Sequence, residues 1–72
     1  MTFEQFQKTV TSHYGRTLGD FSQEDNIFVY QWRQSRIVYN TESKEWRFGE
    51  GRGDTLNEAE ADEFQKYELA WS

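Results

Sequence analysis

The chain has no cysteine and no proline, and one histidine in 72 residues. Without cysteine there is no disulfide and no thiolate metal ligand. A disulfide-stapled extracellular mini-protein is excluded, and a reducing, cytoplasmic setting is the expectation. Metal binding would fall to carboxylates alone, of which Asp54 and Glu58 are the nearest pair, and no EF-hand spacing is present. No apolar run approaches the roughly 20 residues that cross a bilayer. The start, MTFEQFQKTV, lacks the basic and apolar regions of a signal peptide. Neither membrane insertion nor export is expected.

Catalytic signatures are missing too. A Ser-His-Asp arrangement would have to use His13 with Ser12, and neither stands in a nucleophile-elbow context. His13 reads as an exposed residue of a helix. Glu58 and Asp62 share a helical face, where carboxylates are ordinarily just solvated, and so short a domain offers little concavity. The glycine run 49–53 precedes a helix, as phosphate loops do. The GxGxxG fingerprint fails at Asp54, and the Walker pattern lacks its Gly-Lys-Ser/Thr ending. Arg52-Gly53-Asp54 spells the integrin-binding tripeptide, but three residues recur by chance and nothing else points outside the cell. The expectation is a non-enzymatic protein with no cofactor and no metal.

Aliphatic residues are scarce. Leu, Ile, Val and Phe together fall just under one fifth of the chain, at the border where disorder is suspected. Three Trp and four Tyr offset this with large buriable area, and the apolar residues fall in clean periodic patterns. The chain therefore folds as one domain over residues 1–72, with a core built from rings.

Thr2-Phe3-Glu4-Gln5 is a capping box. Phe3, Phe6, Val10 and Tyr14 follow at helical spacing, and Gly15 suits the left-handed position past the end, so a helix is predicted over about 3–14. Residues 16–26 are polar and read as a loop anchored by Leu18 and Phe21. Residues 27–33, 36–41 and 45–49 read as strands joined by two-residue turns near Gln34-Ser35 and Glu42-Ser43. That register sets Trp32 opposite Ile37, Tyr30 opposite Tyr39, Tyr39 opposite Trp46 and Ile37 opposite Phe48. One face then collects Phe28, Tyr30, Trp32, Ile37, Tyr39, Trp46 and Phe48. The other collects Ile27, Val29, Val38, Arg33, Arg36 and Arg47 with polar residues. It also sets Arg33 against Arg36, an unfavourable pairing that a wider turn would relieve. Residues 49–53 read as a flexible loop. Thr55 to Glu58 is a second capping box opening a helix over about 56–70, whose inner stripe is Ala61, Phe64, Tyr67 or Glu68, and Trp71, with Leu56 and Leu69 nearby. Asp62 and Lys66 form a favourable i, i+4 pair. The fold class is α+β in the order α-β-β-β-α: a three-stranded antiparallel meander with two helices packed on one face.

This order, with a Gly-x-Gly loop and a Thr-x-x-x-Ala helix start over residues 49–61, resembles a double-stranded-RNA-binding domain. The resemblance would imply RNA contact through lysines at the start of the last helix. Leu56, Asn57 and Glu60 stand there instead.

Charge is unevenly placed. Residues 1–49 hold six acids and six bases, whereas residues 50–72 hold seven acids against Arg52 and Lys66, so the net −5 resides in the last third. Such a chain is repelled by nucleic acid and anionic membrane at long range. Two surfaces remain as candidates. The first is the acidic helix, with Glu58, Glu60, Asp62 and Glu63. It suits an inhibitor or adaptor docking on a basic protein surface, in the manner of a nucleic-acid mimic. The second is the sheet face with Arg33, Arg36 and Arg47 around Val29 and Val38. It suits an acidic protein or a nucleic acid. Both together make the molecule bipolar and permit head-to-tail self-association that salt would weaken.

Overall fold

The structure is a computed structural model. It describes the backbone of residues 1–71 and the side chains of residues 1–68. Helix α1 (Phe3–Tyr14) begins with the expected capping box. The Gln5 amide donates to the Thr2 hydroxyl (3.1 Å), and the Thr2 amide donates to Gln5 Oε1 (2.8 Å). It ends at Gly15 in the left-handed region, φ +80°. Five strands follow rather than three: β1 (Asp20–Glu24), β2 (Ile27–Trp32), β3 (Ser35–Asn40), β4 (Glu45–Phe48) and β5 (Gly51–Gly53). They form one antiparallel meander in sequence order, and helix α2 (Leu56–Trp71) closes the fold. The α+β class stands, and the three-stranded meander is corrected to five.

Both added strands lie where side-chain patterns are silent. β1 carries one apolar residue, Phe21, and is held by its pairing with β2 through a tight turn in which Asp25 takes φ +47°. β5 has glycine at both ends. Its Gly51 and Gly53 are required by close approach. A Cβ at Gly51 would lie 2.2 Å from the Ala59 carbonyl oxygen and 2.4 Å from the Glu63 nitrogen. A Cβ at Gly53 would lie 2.5 Å from that of Glu58. The supposed flexible loop is therefore a strand against which α2 lies backbone to backbone.

The second hairpin keeps the expected register, with Ile37 facing Phe48 and Tyr39 facing Trp46. Its turn is wider than two residues, and Asn40 Oδ1 organises it by accepting from the Glu42 and Ser43 amides. The first hairpin has slid by two. Trp32 faces Ser35, Tyr30 faces Ile37 and Phe28 faces Tyr39. A shift of two preserves the alternation, so every residue that remains in a strand stays on its expected face. It also moves Arg33 into the turn at φ +54°, with its guanidinium 4.8 Å from the centre of the Trp32 ring. The conflict with Arg36 is removed by sliding the turn, not by widening it.

The core is a ring cluster. Phe6 and Val10 of α1, with Leu56 and Ala59 of α2, cover Phe28, Tyr30, Ile37, Tyr39 and Trp46 on one sheet face. Phe6 stacks on Trp46 with centroids 5.4 Å apart and meets Phe21 edge-on at 6.0 Å. α2 is rotated from its expected setting. Leu56 and Ala59 point in, whereas Ala61, Phe64 and Tyr67 are exposed, Phe64 at 67%. The side chains of Leu69 and Trp71, expected to face inward or nearby, lie outside the described residues. Among the described residues, no helix is long and apolar enough to cross a membrane.

Candidate functional site

Among the described residues, no helix covers the second face of the sheet; those of α1 and α2 in the core pack on the other. Pairing places Ser22, Val29, Val38, Arg47 and Arg52 in one row across all five strands. Val29 is 6% exposed in the middle of this row. Ile27 lies in the next row, opposite Asn40. Arg36 is two residues from Val38 on the same strand and face, hence diagonal to Arg47. Arg47 and Arg52 stand directly opposite each other, an arrangement that is unfavourable between like charges. Glu45 Oε1 accepts from Arg47 Nε at 3.4 Å. Arg36 is in no ion pair among the described residues. Ile27, Val38, Arg36, Arg47 and Glu45 line a shallow depression of about 670 Å³ on this face.

Of the five residues expected here, Val29, Val38, Arg36 and Arg47 are brought together, and Arg33 is not, because its turn carries it to Trp32. Arg52 takes its place in the cluster. It was invisible as a member because the glycines around it read as loop. Their alternation at 49, 51 and 53 is the signal that could have revealed a strand.

The acids of α2 have a different setting from the one their composition suggests. Glu63 Oε2 accepts from the Glu50 amide (2.5 Å), Asp62 Oδ2 from the Arg52 amide (2.9 Å) and Glu58 Oε2 from the Asp54 amide (2.9 Å). These three amides alternate along the edge of β5, so three carboxylates stand where the next strand would. Thr55 caps the Glu58 amide (3.1 Å), but the Glu58 side chain reaches Asp54 rather than completing the second box. Lys66 Nζ contacts Asp62 at 3.2 Å and donates to the Glu50 carbonyl at 2.8 Å. Glu60 Oε2 lies 2.7 Å from Nε2 of His13. Each of the four acids singled out from the sequence thus has a partner within the chain, at or near the surface.

The Arg52 amide, then Lys66, hold the Asp62 carboxyl below the usual carboxylate range. A depressed folded-state value stabilises the fold above the ordinary Asp range, and that contribution is lost as pH falls through the folded value. The urea midpoint of Asp62→Asn should accordingly fall below wild type at neutral pH. The gap should close in acid, below the folded value. A gap independent of pH would mean that the charge at position 62 contributes nothing.

His13 is not the exposed helix residue expected. Its side chain is 17% exposed and pinned between the helices. Burial, then the charge of Glu60, pushes the neighbouring Tyr14 phenol up to about 12. Among the described residues, no group of three or more His, Asp or Glu side chains converges on a point. Neither the family models, the curated proteins nor the solved structures searched give a match to this chain. The five-stranded sheet also departs from the three-stranded order on which the likeness to an RNA-binding domain rested.

Proposed function

We propose that this protein is a non-enzymatic binding module that docks, through the open face of its sheet, on a protein surface with an apolar centre and an acidic rim. The observation that carries this reading is the unfavourable pairing of Arg47 with Arg52 beside Val29 and Val38, on the sheet face that is free of helix among the described residues. An apolar centre bordered by Arg is the composition of a protein interface. Three guanidiniums on a chain of net charge −5 favour such a surface over a polyphosphate, which would be held off at long range. Docking through the acidic helix, the reading its composition favours, would compete with the bonds that close the β5 edge.

Capture from the native host, compared between wild type and the Arg36→Glu/Arg52→Glu double variant, tests the proposal. Both side chains are exposed, so folding should survive. A retained acidic protein should be lost in the double variant and kept in Lys8→Glu, a reversal on the exposed surface of α1. Its affinity should fall by roughly tenfold or more and weaken with salt. A retained set unchanged by the double variant, or nucleic acid alone, would remove the proposal.

A further inference from the structure

A second concavity lies on the other side of the sheet, independent of the Arg face. Past Gly15 the chain runs back over the end of β2. Gly19 donates its amide to the Tyr30 hydroxyl at 3.2 Å. A Cβ there would lie 2.3 Å from the Gln31 carbonyl oxygen and 2.6 Å from Trp32 Cβ. The connector is therefore pressed onto β2. Between it and the sheet is a pocket of about 260 Å³, lined by Tyr14, Arg16, Leu18, Tyr30, Trp32 and Ser35.

Three features give the pocket a chemistry. Leu18, Tyr14 and Trp32 are three of the large apolar side chains the fold leaves exposed, Leu18 at 62%, and all three gather here. Tyr14 and Tyr30 have ring centroids 6.2 Å apart, so the walls are aromatic and favour another ring by stacking or edge contact. The volume falls just below the range of drug-sized sites, which excludes nucleotides and leaves room for one ring system. Finally, Arg16 lines the pocket without an ion pair among the described residues, and Arg33 lies over Trp32. Ser35 and Tyr14 add hydroxyl donors. Glu60, the acid whose charge reaches Tyr14, is engaged with His13.

We infer that this pocket binds a single aromatic ring carrying a carboxylate, with the ring among Tyr14, Tyr30 and Trp32 and the carboxylate at Arg16. The same chemistry is offered by a free aryl acid and by an aromatic residue beside an acidic one in a peptide. Indole-3-acetate and N-acetyl-Glu-Trp-amide represent the two. Tryptamine supplies the same ring with a cation.

Proton–nitrogen spectra of the full chain, with the Trp32 indole signal identified by Trp32→Phe, read the outcome. Indole-3-acetate, the peptide or both should give saturable shifts centred on Trp32, Leu18 and Ser35, and which of them binds names the source. Tryptamine should bind at least tenfold more weakly. Arg16→Gln should remove that preference, since a charge-assisted hydrogen bond is worth about tenfold or more. Leu18→Asp should weaken both anionic probes. Arg16 and Leu18 are exposed, so both variants should keep the wild-type spectrum elsewhere. No saturable shift with either anionic probe, or equal affinity for tryptamine, would overturn the assignment.

Discussion

Gly51→Ala should destabilise the protein by about 3 kcal/mol, the upper end of ordinary overpacking, because the new methyl group would meet backbone and not a yielding side chain. The Ala59 carbonyl oxygen at 2.2 Å and the Glu63 nitrogen at 2.4 Å both belong to α2. The helix must lift, and lifting it strains the bonds from Glu63 to the Glu50 amide and from Asp62 to the Arg52 amide. In a domain of this size the thermal midpoint should fall by roughly 12–24 °C. Gly15→Ala is the comparison. Nothing lies within 4 Å of its added Cβ, and only the left-handed φ of +80° opposes it, at about 1–2 kcal/mol. Thermal unfolding followed by circular dichroism ranks the two. Equal losses would mean that α2 does not rest on β5 as described.

Phe6→Ala should cost about 3–5 kcal/mol. Phe6 is fully buried and makes ring contacts with Phe3, Phe21, Phe28 and Trp46. At 0.05–0.15 kcal/mol per residue, a chain of 72 residues holds about 4–11 kcal/mol in all, so this variant sits near or past its unfolding threshold at 37 °C. Phe64→Ala should change stability by no more than about 0.5 kcal/mol, as an exposed side chain does. Urea titration of both variants tests the rotation of α2 directly. The inner stripe read from the sequence puts Phe64 in the core, and under that arrangement both substitutions would be severe.

The exposed Phe64 and the buried Ala59 show what sequence patterning leaves undecided in α2. Two stripes compete along this helix, one through Phe64 and Tyr67, the other through Leu56 and Ala59. The first is the more apolar. In the observed rotation three carboxylates meet the amides of Glu50, Arg52 and Asp54, on β5 and either side of it, and Gly51 and Gly53 leave the space the helix needs. Those partners lie just before α2 in sequence, 4–13 residues from the acids they meet, but they become partners only once β5 has formed. The same rotation explains the acidic face. Its composition suggests a docking surface, and Glu58, Asp62 and Glu63 also accept from the amides along β5. The Arg face was partly legible, since alternation alone assigns Val29, Val38, Arg36 and Arg47 to one side. Arg33 was lost from it when the turn slid, and Arg52 entered it with a strand that has no side-chain pattern.

Local patterning was enough to set α1 with its capping box and left-handed stop, the three strands rich in rings, the two faces of the sheet and the register of the second hairpin. Each follows from periodicity or from pairing between neighbours a few residues apart. The two outer strands, the slide of the first hairpin, the rotation of α2 and the bonds of its acids emerge from the assembled fold. The reason is physical. A strand of glycines, or one with a single Phe, is held by its neighbour's amides and carbonyls rather than by its own side chains. A helix with two usable faces turns toward whichever meets the better set of partners, and those partners take their places only when the sheet has formed.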